Sequence, residues 1–124
     1  MIIDANIVIL AIDNDPSVTD VLTTWRYSGK TLMLPTIVEA EILSYSKLTS
    51  KEIEKIKTFI EENFTFIPLN RTIAQIAGEI RRATKIKLPD AIIAATALYT
   101  RVPIVTRNIR DFQRISNLEV IDIK

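Results

Sequence analysis

The sequence around residue 90 reads Leu88-Pro-Asp-Ala-Ile-Ile-Ala-Ala-Thr-Ala-Leu98, which is apolar on nearly every side when drawn as a helix. At about 100° per residue, only Thr96 and Thr100 form a polar seam. Such a helix belongs in the protein core, and we expect it to begin at Pro89 or Asp90. Asp90 would then lie beside free backbone N–H groups and the positive end of the helix dipole, either as an N-cap or as a site residue.

Composition limits both the size of the fold and its chemistry. With 124 residues, 48% of them apolar and two Gly, the chain is expected to form one compact domain over residues 1–124. It has no Cys and no His, which excludes disulfides, thiol nucleophiles, Ser-His-Asp triads and typical zinc sites. The apolar start lacks a basic region, and no apolar run approaches the roughly 20 residues of a membrane span, so we expect a cytoplasmic protein.

Charge is distributed unevenly along the chain. The net charge of +1 combines net −4 over residues 1–70 with net +5 over residues 71–124. Solvated helix faces explain part of the positive charge over residues 71–124. The rest of this charge favours a phosphate-bearing partner. The cations expected to contact such a partner are Arg81, Arg82, Lys85, Lys87, Arg107 and Arg110.

Predicted strands and helices alternate, which indicates an α/β fold. Short apolar runs predict strands near residues 1–4, 31–34, 65–67, 102–106 and 119–121. Helices are predicted between them, with N-terminal caps at Asp15, Thr49 and Thr72. This order predicts a doubly wound, mostly parallel five-stranded sheet with helices on both faces.

One acid lies in the middle of the apolar face of its predicted helix. In the helix after Pro35, setting Ile37 at 0° places Glu41 near 40° and Glu39 near 200°. A charge on the core-facing side is costly unless it is paired or coordinated. Glu41 therefore predicts either a buried ion pair or a site ligand, whereas Glu39 needs no special role.

Polar residues follow the carboxyl ends of the predicted strands. In parallel sheets this edge binds ligands, and carboxylates from distant segments can meet there. Like charges repel unless a cation lies between them, and oxygen-only ligands suit Mg²⁺ or Mn²⁺. The residues expected at this site are Asp4, Asn6, Glu41, Asp90, Thr106, Asn108 and Asp111.

Four motifs occur in order along the chain. They are Asp4-x-Asn6, Glu41 in the helix after Pro35, Leu88-Pro-Asp90-Ala-x-Ile-Ala-Ala, and Thr106-x-Asn108-x-x-Asp111-Phe112. Together they resemble the motifs of the PIN-domain nucleases, most closely those of the small VapC-type ribonuclease toxins. The resemblance spans essentially the whole chain. It implies a metal-dependent endoribonuclease that forms a homodimer and is paired with a cognate antitoxin whose tail occupies the active groove.

The resemblance also implies roles for individual residues. Asp4, Glu41 and Asp90 match three central acids of the family, while Asn6 and Thr106 match polar residues that orient ligands or substrate phosphate. Many relatives carry Asp where this chain has Asn108. We expect Asp111 to be the fourth acid and Asn108 its hydrogen-bonding neighbour, which leaves open whether one metal binds or two.

Two alternatives remain at this stage. A PIN-like domain that binds RNA or a partner protein without cutting would be expected to lack a central acid, and none is missing here. A receiver-like phospho-acceptor domain has a similar length and sheet. It would need an acceptor Asp at the end of the third strand, where this chain has Pro68-Leu-Asn70.

Overall fold

A computed structural model describes residues 1–123 as a parallel sheet flanked by helices. The strands are β1 (Ile2–Ile3), β2 (Met33–Pro35), β3 (Thr65–Ile67), β4 (Ile104–Thr106) and β5 (Val120–Asp122). Their order across the sheet is β3-β2-β1-β4-β5, and every pairing is parallel. The prediction of a doubly wound α/β sheet is therefore confirmed.

Seven helices connect the strands within residues 1–123. They are α1 (Ala5–Ile12), α2 (Pro16–Tyr27), α3 (Thr36–Leu43), α4 (Ser50–Asn63), α5 (Arg71–Thr84), α6 (Leu88–Thr100) and α7 (Ile109–Phe112). None of them is long and apolar enough to cross a bilayer.

The strand order reverses between β1 and β4, and this reversal fixes where a ligand can bind. The chain leaves β1 toward β2 on one side and leaves β4 toward β5 on the other. Neighbouring strands whose connections diverge in this way open a crevice outside their carboxyl ends. Ile3 is in register with Val105, so the next residues, Asp4 and Thr106, lie side by side at that crevice.

Helix α6 runs through the core, as its composition predicts. Its buried residues are Ala91, Ile93, Ala94, Ala95, Thr96 and Ala97. Thr96 is buried despite its hydroxyl, because the hydroxyl donates to the carbonyl of Ile92 one turn earlier. The predicted start is wrong: α6 begins at Leu88 with Lys87 as its N-cap. Asp90 lies inside the first turn, and its carboxylate is not used as an N-cap.

Capping explains where several other helices begin. Thr49 and Glu52 form the predicted capping box of α4, and the Asp15 carboxylate accepts from the backbone N–H of Ser17 at the start of α2. The predicted cap at Thr72 is wrong. The Asn70 side chain accepts from the N–H of Ile73 instead, so α5 starts earlier than its Thr-x-x-Gln pattern indicated.

Candidate active site

Asp4 joins strand β1 to helix α1 and is the most buried acid of the site. It is 4% exposed and is the N-cap of α1, where one carboxylate oxygen accepts from the N–H of Ala5 at 2.7 Å. The other oxygen accepts from the hydroxyl of Thr106 at 2.7 Å and from the amide of Asn6 at 3.2 Å. Burial raises the pKa of Asp4 in spite of these three hydrogen bonds, which act in the opposite direction.

Thr106 links the ends of the two central strands. It is fully buried at the end of β4, and its hydroxyl oxygen accepts from the backbone N–H of Asn108 at 2.9 Å while it donates to Asp4. Asn6 lies beside it, with Nδ2 3.4 Å from the same hydroxyl oxygen. A polar network inside the crevice therefore fixes the orientation of the Asp4 carboxylate.

Glu41 faces the same crevice from helix α3. Its Oε1 atom is buried and has no hydrogen-bond partner among residues 1–123. Burial raises the pKa of Glu41, the charges of Asp4 and Asp90 raise it further, and Lys87 partly opposes them. The fully buried side of α3 is centred on Val38 and Ile42, so Glu41 lies at its flank and not in the middle of the apolar face.

Asp90 projects from the first turn of α6. Burial raises its pKa, the charges of Asp4 and Asp111 add to the effect, and the Lys87 ammonium opposes it. Asp111 lies on α7, where one of its carboxylate oxygens accepts from the side-chain amide of Asn108 at 3.1 Å. The four acids thus share one electrostatic environment although they come from four separate elements.

The basic residues divide into three groups by position. Lys87 is the cation whose charge reaches Glu41 and Asp90. Arg107 and Arg110 follow β4 on the site side and are exposed. The last turn and C-cap of α5 carry Arg81, Arg82 and Lys85, all exposed. Arg101, which is not among the candidate cations, is the C-cap of α6, at the opposite end of that helix from Asp90.

The donor set fits a hard divalent cation that keeps most of its water. The candidate ligands are oxygen atoms only, and the unpartnered Glu41 oxygen offers a free acceptor at the site. Within residues 1–123, no three acids converge closely enough to form a ready-made cage. Mg²⁺ commonly binds through one or two carboxylates and retains several waters, so it does not require such a cage.

Comparison with known proteins identifies the family of the chain. Residues 1–118 match the sequence profile of the PIN domain. The chain belongs to the PIN-domain family. This confirms the resemblance drawn from the four motifs, and the match covers all four acids.

Individual PIN-domain relatives are similar over most of their length. Ribonuclease VapC1 of Rickettsia felis is 29% identical over 109 residues, which is 80% of this chain and 81% of the relative. A crystal structure of VapBC2 from Rickettsia felis, bound to a DNA fragment from its promoter, contains a chain with a TM-score of 0.87 and 26% identity, covering 99% of this chain and 98% of the other. A toxin–antitoxin complex from Klebsiella pneumoniae has a TM-score of 0.80 and 28% identity, with coverage of 97% and 94%.

The sequence analysis missed two features of the site. Asp4 caps α1 as well as facing the crevice, a double role that the Asp at a strand-to-helix junction could have suggested. Ser17 contacts the side chain of Arg107, 90 positions later in the sequence. No local pattern signals such a contact, because it depends on how α2 packs beside the end of β4.

Proposed function

We propose that this PIN-domain protein is a metal-dependent endoribonuclease that hydrolyses RNA phosphodiesters, and that it is the toxin of a VapBC-type pair. The proposal is supported chiefly by the charges at the β1–β4 crevice: those of Asp4 and Asp90 act on Glu41, and that of Asp111 acts on Asp90. One buried Glu41 oxygen there has no hydrogen-bond partner among residues 1–123. The similarity to VapC ribonucleases supports the choice of RNA as substrate.

Asp4 and Asp90 would hold Mg²⁺ or Mn²⁺, with Asp111 completing the set of oxygen ligands. When bound, the divalent cation supplies an activated water and stabilises the charge that develops on the scissile phosphate. Thr106 and Asn6 keep the Asp4 carboxylate turned toward the crevice through their hydrogen bonds. Asn108 does the same for Asp111. These neighbours reduce the freedom of the acids before any ligand arrives.

Glu41 is the proposed proton acceptor. A carboxylate can act as general base where the chain has no His, and efficiency improves as its pKa approaches the operating pH. Burial and two neighbouring acids shift the pKa of Glu41 in that direction. Its unpartnered oxygen is free to accept a hydrogen bond from a water at the crevice.

The exposed cations around the crevice would hold the RNA backbone, setting affinity more than sequence preference. The proposed contacts are Arg81, Arg82, Lys85, Lys87 and Arg110. Arg107 differs from them because its guanidinium already donates to Ser17 within the chain.

An antitoxin partner and a homodimer are part of the same proposal. The structural neighbours are toxin–antitoxin complexes, which supports a protein inhibitor for this chain as well. The chain also offers a protein partner an apolar groove of about 300 Å³ between α1, α3 and α4, lined in part by Ile9, Ile42 and Leu48. Light scattering of the purified chain tests the dimer.

The decisive experiment is cleavage of end-labelled structured and unstructured RNAs with Mg²⁺, with Mn²⁺ and with EDTA. We expect cutting that requires the metal and disappears in Asp4→Asn. The matched control is Glu39→Gln, which removes an acid from α3 outside the crevice and should cut normally. A folded, metal-binding wild-type protein that cuts no RNA would refute the nuclease assignment and favour a non-cleaving PIN domain.

A further inference from the structure

Arg107 lies in the bend between β4 and α7 and makes two different contacts with the rest of the chain. Its backbone N–H donates to Oδ1 of Asn6 at 3.2 Å. Its guanidinium donates to the hydroxyl of Ser17 at 2.9 Å. One residue therefore connects the start of α1, the start of α2 and the end of β4.

The backbone contact determines which way the Asn6 amide faces. An N–H donor requires an oxygen acceptor, so Oδ1 turns to Arg107 and Nδ2 must point the other way. In that orientation Nδ2 donates to Asp4 at 3.2 Å and approaches Thr106 at 3.4 Å. With the amide reversed, an oxygen would face the Asp4 carboxylate and repel it.

The side-chain contact limits how the bend can move. Ser17 accepts from Arg107 and donates in turn to the Asp15 carboxylate at 2.6 Å. Asp15 is also the N-cap of α2. The guanidinium therefore binds a residue in the first turn of a helix whose start is itself fixed by hydrogen bonds. The Arg107 charge lies close enough to contribute to a lowered pKa of Asp15, behind the larger effect of the Ser17 hydrogen bonds.

We propose that Arg107 is a positioning residue that acts through Asn6 on the Asp4 carboxylate, with Ser17 holding its side chain in place. This differs from the RNA-contact role that the sequence predicted for Arg107. The expected effect of Arg107 on cleavage rests on the proposed nuclease function. The orientation of the Asn6 amide does not, because it is a property of the protein without substrate.

The test uses Arg107→Ala, Ser17→Ala and the double variant. Arg26→Ala is the matched control, because Arg26 is also exposed and also contacts a side chain of another helix, that of Asn63 on α4. The first readout is the side-chain amide resonance of Asn6 in metal-free protein, measured by NMR. We expect it to shift and broaden in Arg107→Ala and Ser17→Ala and to stay unchanged in the control.

The second readout is RNA cleavage. A misdirected carboxylate should lower kcat by about 3- to 10-fold in each single variant, with KM changed less than about 2-fold. Because both residues act through one contact, the double variant should be no slower than Arg107→Ala. A direct RNA contact would instead raise KM in Arg107→Ala and leave Ser17→Ala as active as wild type, which overturns the proposal.

The two readouts separate the possible failures. An unchanged Asn6 resonance in both variants overturns the positioning role whatever the activity. A changed resonance in a protein that cuts no RNA supports the positioning role and rejects the nuclease. If Arg107→Ala does not fold, Ser17→Ala still decides, because it keeps Arg107 and removes the hydroxyl that holds the Arg107 side chain. The substitution also removes the bond from that hydroxyl to Asp15, but the backbone N–H of residue 17 still donates to Asp15 at the start of α2.

Discussion

Glu41→Gln should stabilise the metal-free protein at neutral pH while removing its proposed catalytic base. The substitution keeps the shape of the side chain and removes its charge. In the wild type, Glu41 has a buried oxygen without a hydrogen-bond partner in the described part of the chain, and it faces Asp4 and Asp90. The new amide can donate to a neighbouring carboxylate, which replaces a repulsive contact with an attractive one.

The expected size follows from the burial of this one oxygen. A buried polar atom left unsatisfied costs about 1–3 kcal/mol. Glu41 as a whole is only partly buried, so solvent screening reduces the gain to about 0.5–1.5 kcal/mol. For a chain of 124 residues this corresponds to an increase in Tm of about 2–6 °C.

The stabilisation must depend on pH with a definite sign. The folded state raises the pKa of Glu41 above its ordinary value of 4.5, so the folded protein binds more protons than the unfolded chain in that range. Wild-type stability is therefore lost as pH rises from about 4.5 through the raised pKa. The advantage of Glu41→Gln should be small at pH 4 and largest above the raised pKa.

Thermal unfolding in EDTA at pH 4, 6 and 8 measures this effect, and Glu39→Gln is the control on the same helix. Glu39 lies in the first turn of α3, so its loss should cost a few tenths of a kcal/mol through the helix dipole. Added Mg²⁺ should raise the Tm of the wild type more than that of Glu41→Gln. A lower Tm for Glu41→Gln in EDTA at pH 8, or a gain equal at all three pH values, would refute the reasoning.

Three further predictions concern the site and the fold. Asp90→Asn should lower metal-dependent RNA cleavage by at least about 10³-fold while circular dichroism stays unchanged, and full activity would remove Asp90 from the proposed site. Lys85→Gly should stabilise the protein by about 0.5–1 kcal/mol, measured by urea unfolding. The reason is that Lys85 ends α5 at a φ of 62°, which Gly adopts without strain. A loss of stability would contradict this. Phe112→Ala should lower the free energy of unfolding by about 3–5 kcal/mol in the same assay, because loss of the fully buried ring would leave a cavity behind α7. A cost below about 1 kcal/mol would show instead that the surrounding side chains fill the cavity.

The sequence predicted which candidate residues lie close together most successfully where those residues follow recognisable elements. Asp4 and Thr106 each come directly after a short buried strand, and parallel strands bring their carboxyl ends to one edge. Glu41 was singled out by its position on the apolar side of a helix. Its place at the flank of the buried face, beside Asp4 and Asp90, depends on how α3 packs and could not be read from the helical period.

The predicted helix starts were wrong where two neighbouring residues could each begin the helix. Thr72 and Asn70 are both good caps two residues apart, and only the backbone path decides that Asn70 accepts from Ile73. Asp90 is a favoured capping residue, but α6 starts earlier at Leu88, because Pro89 is well suited to the first turn of a helix. Both errors shift a helix start by one or two residues without changing the sheet.

By itself the sequence determined the class of fold and the buried path of α6. Both follow from short-range periodicity and from the alternation of strands with helices. The four acids of the proposed site were selected by their positions in the predicted elements and by the resemblance to PIN-domain nucleases. The tertiary structure alone decided that β1 lies beside β4, that one Glu41 oxygen has no hydrogen-bond partner among residues 1–123, and that Arg107 reaches Ser17. Contacts between residues about 90 or 100 positions apart depend on strand order and helix packing, which no local pattern encodes.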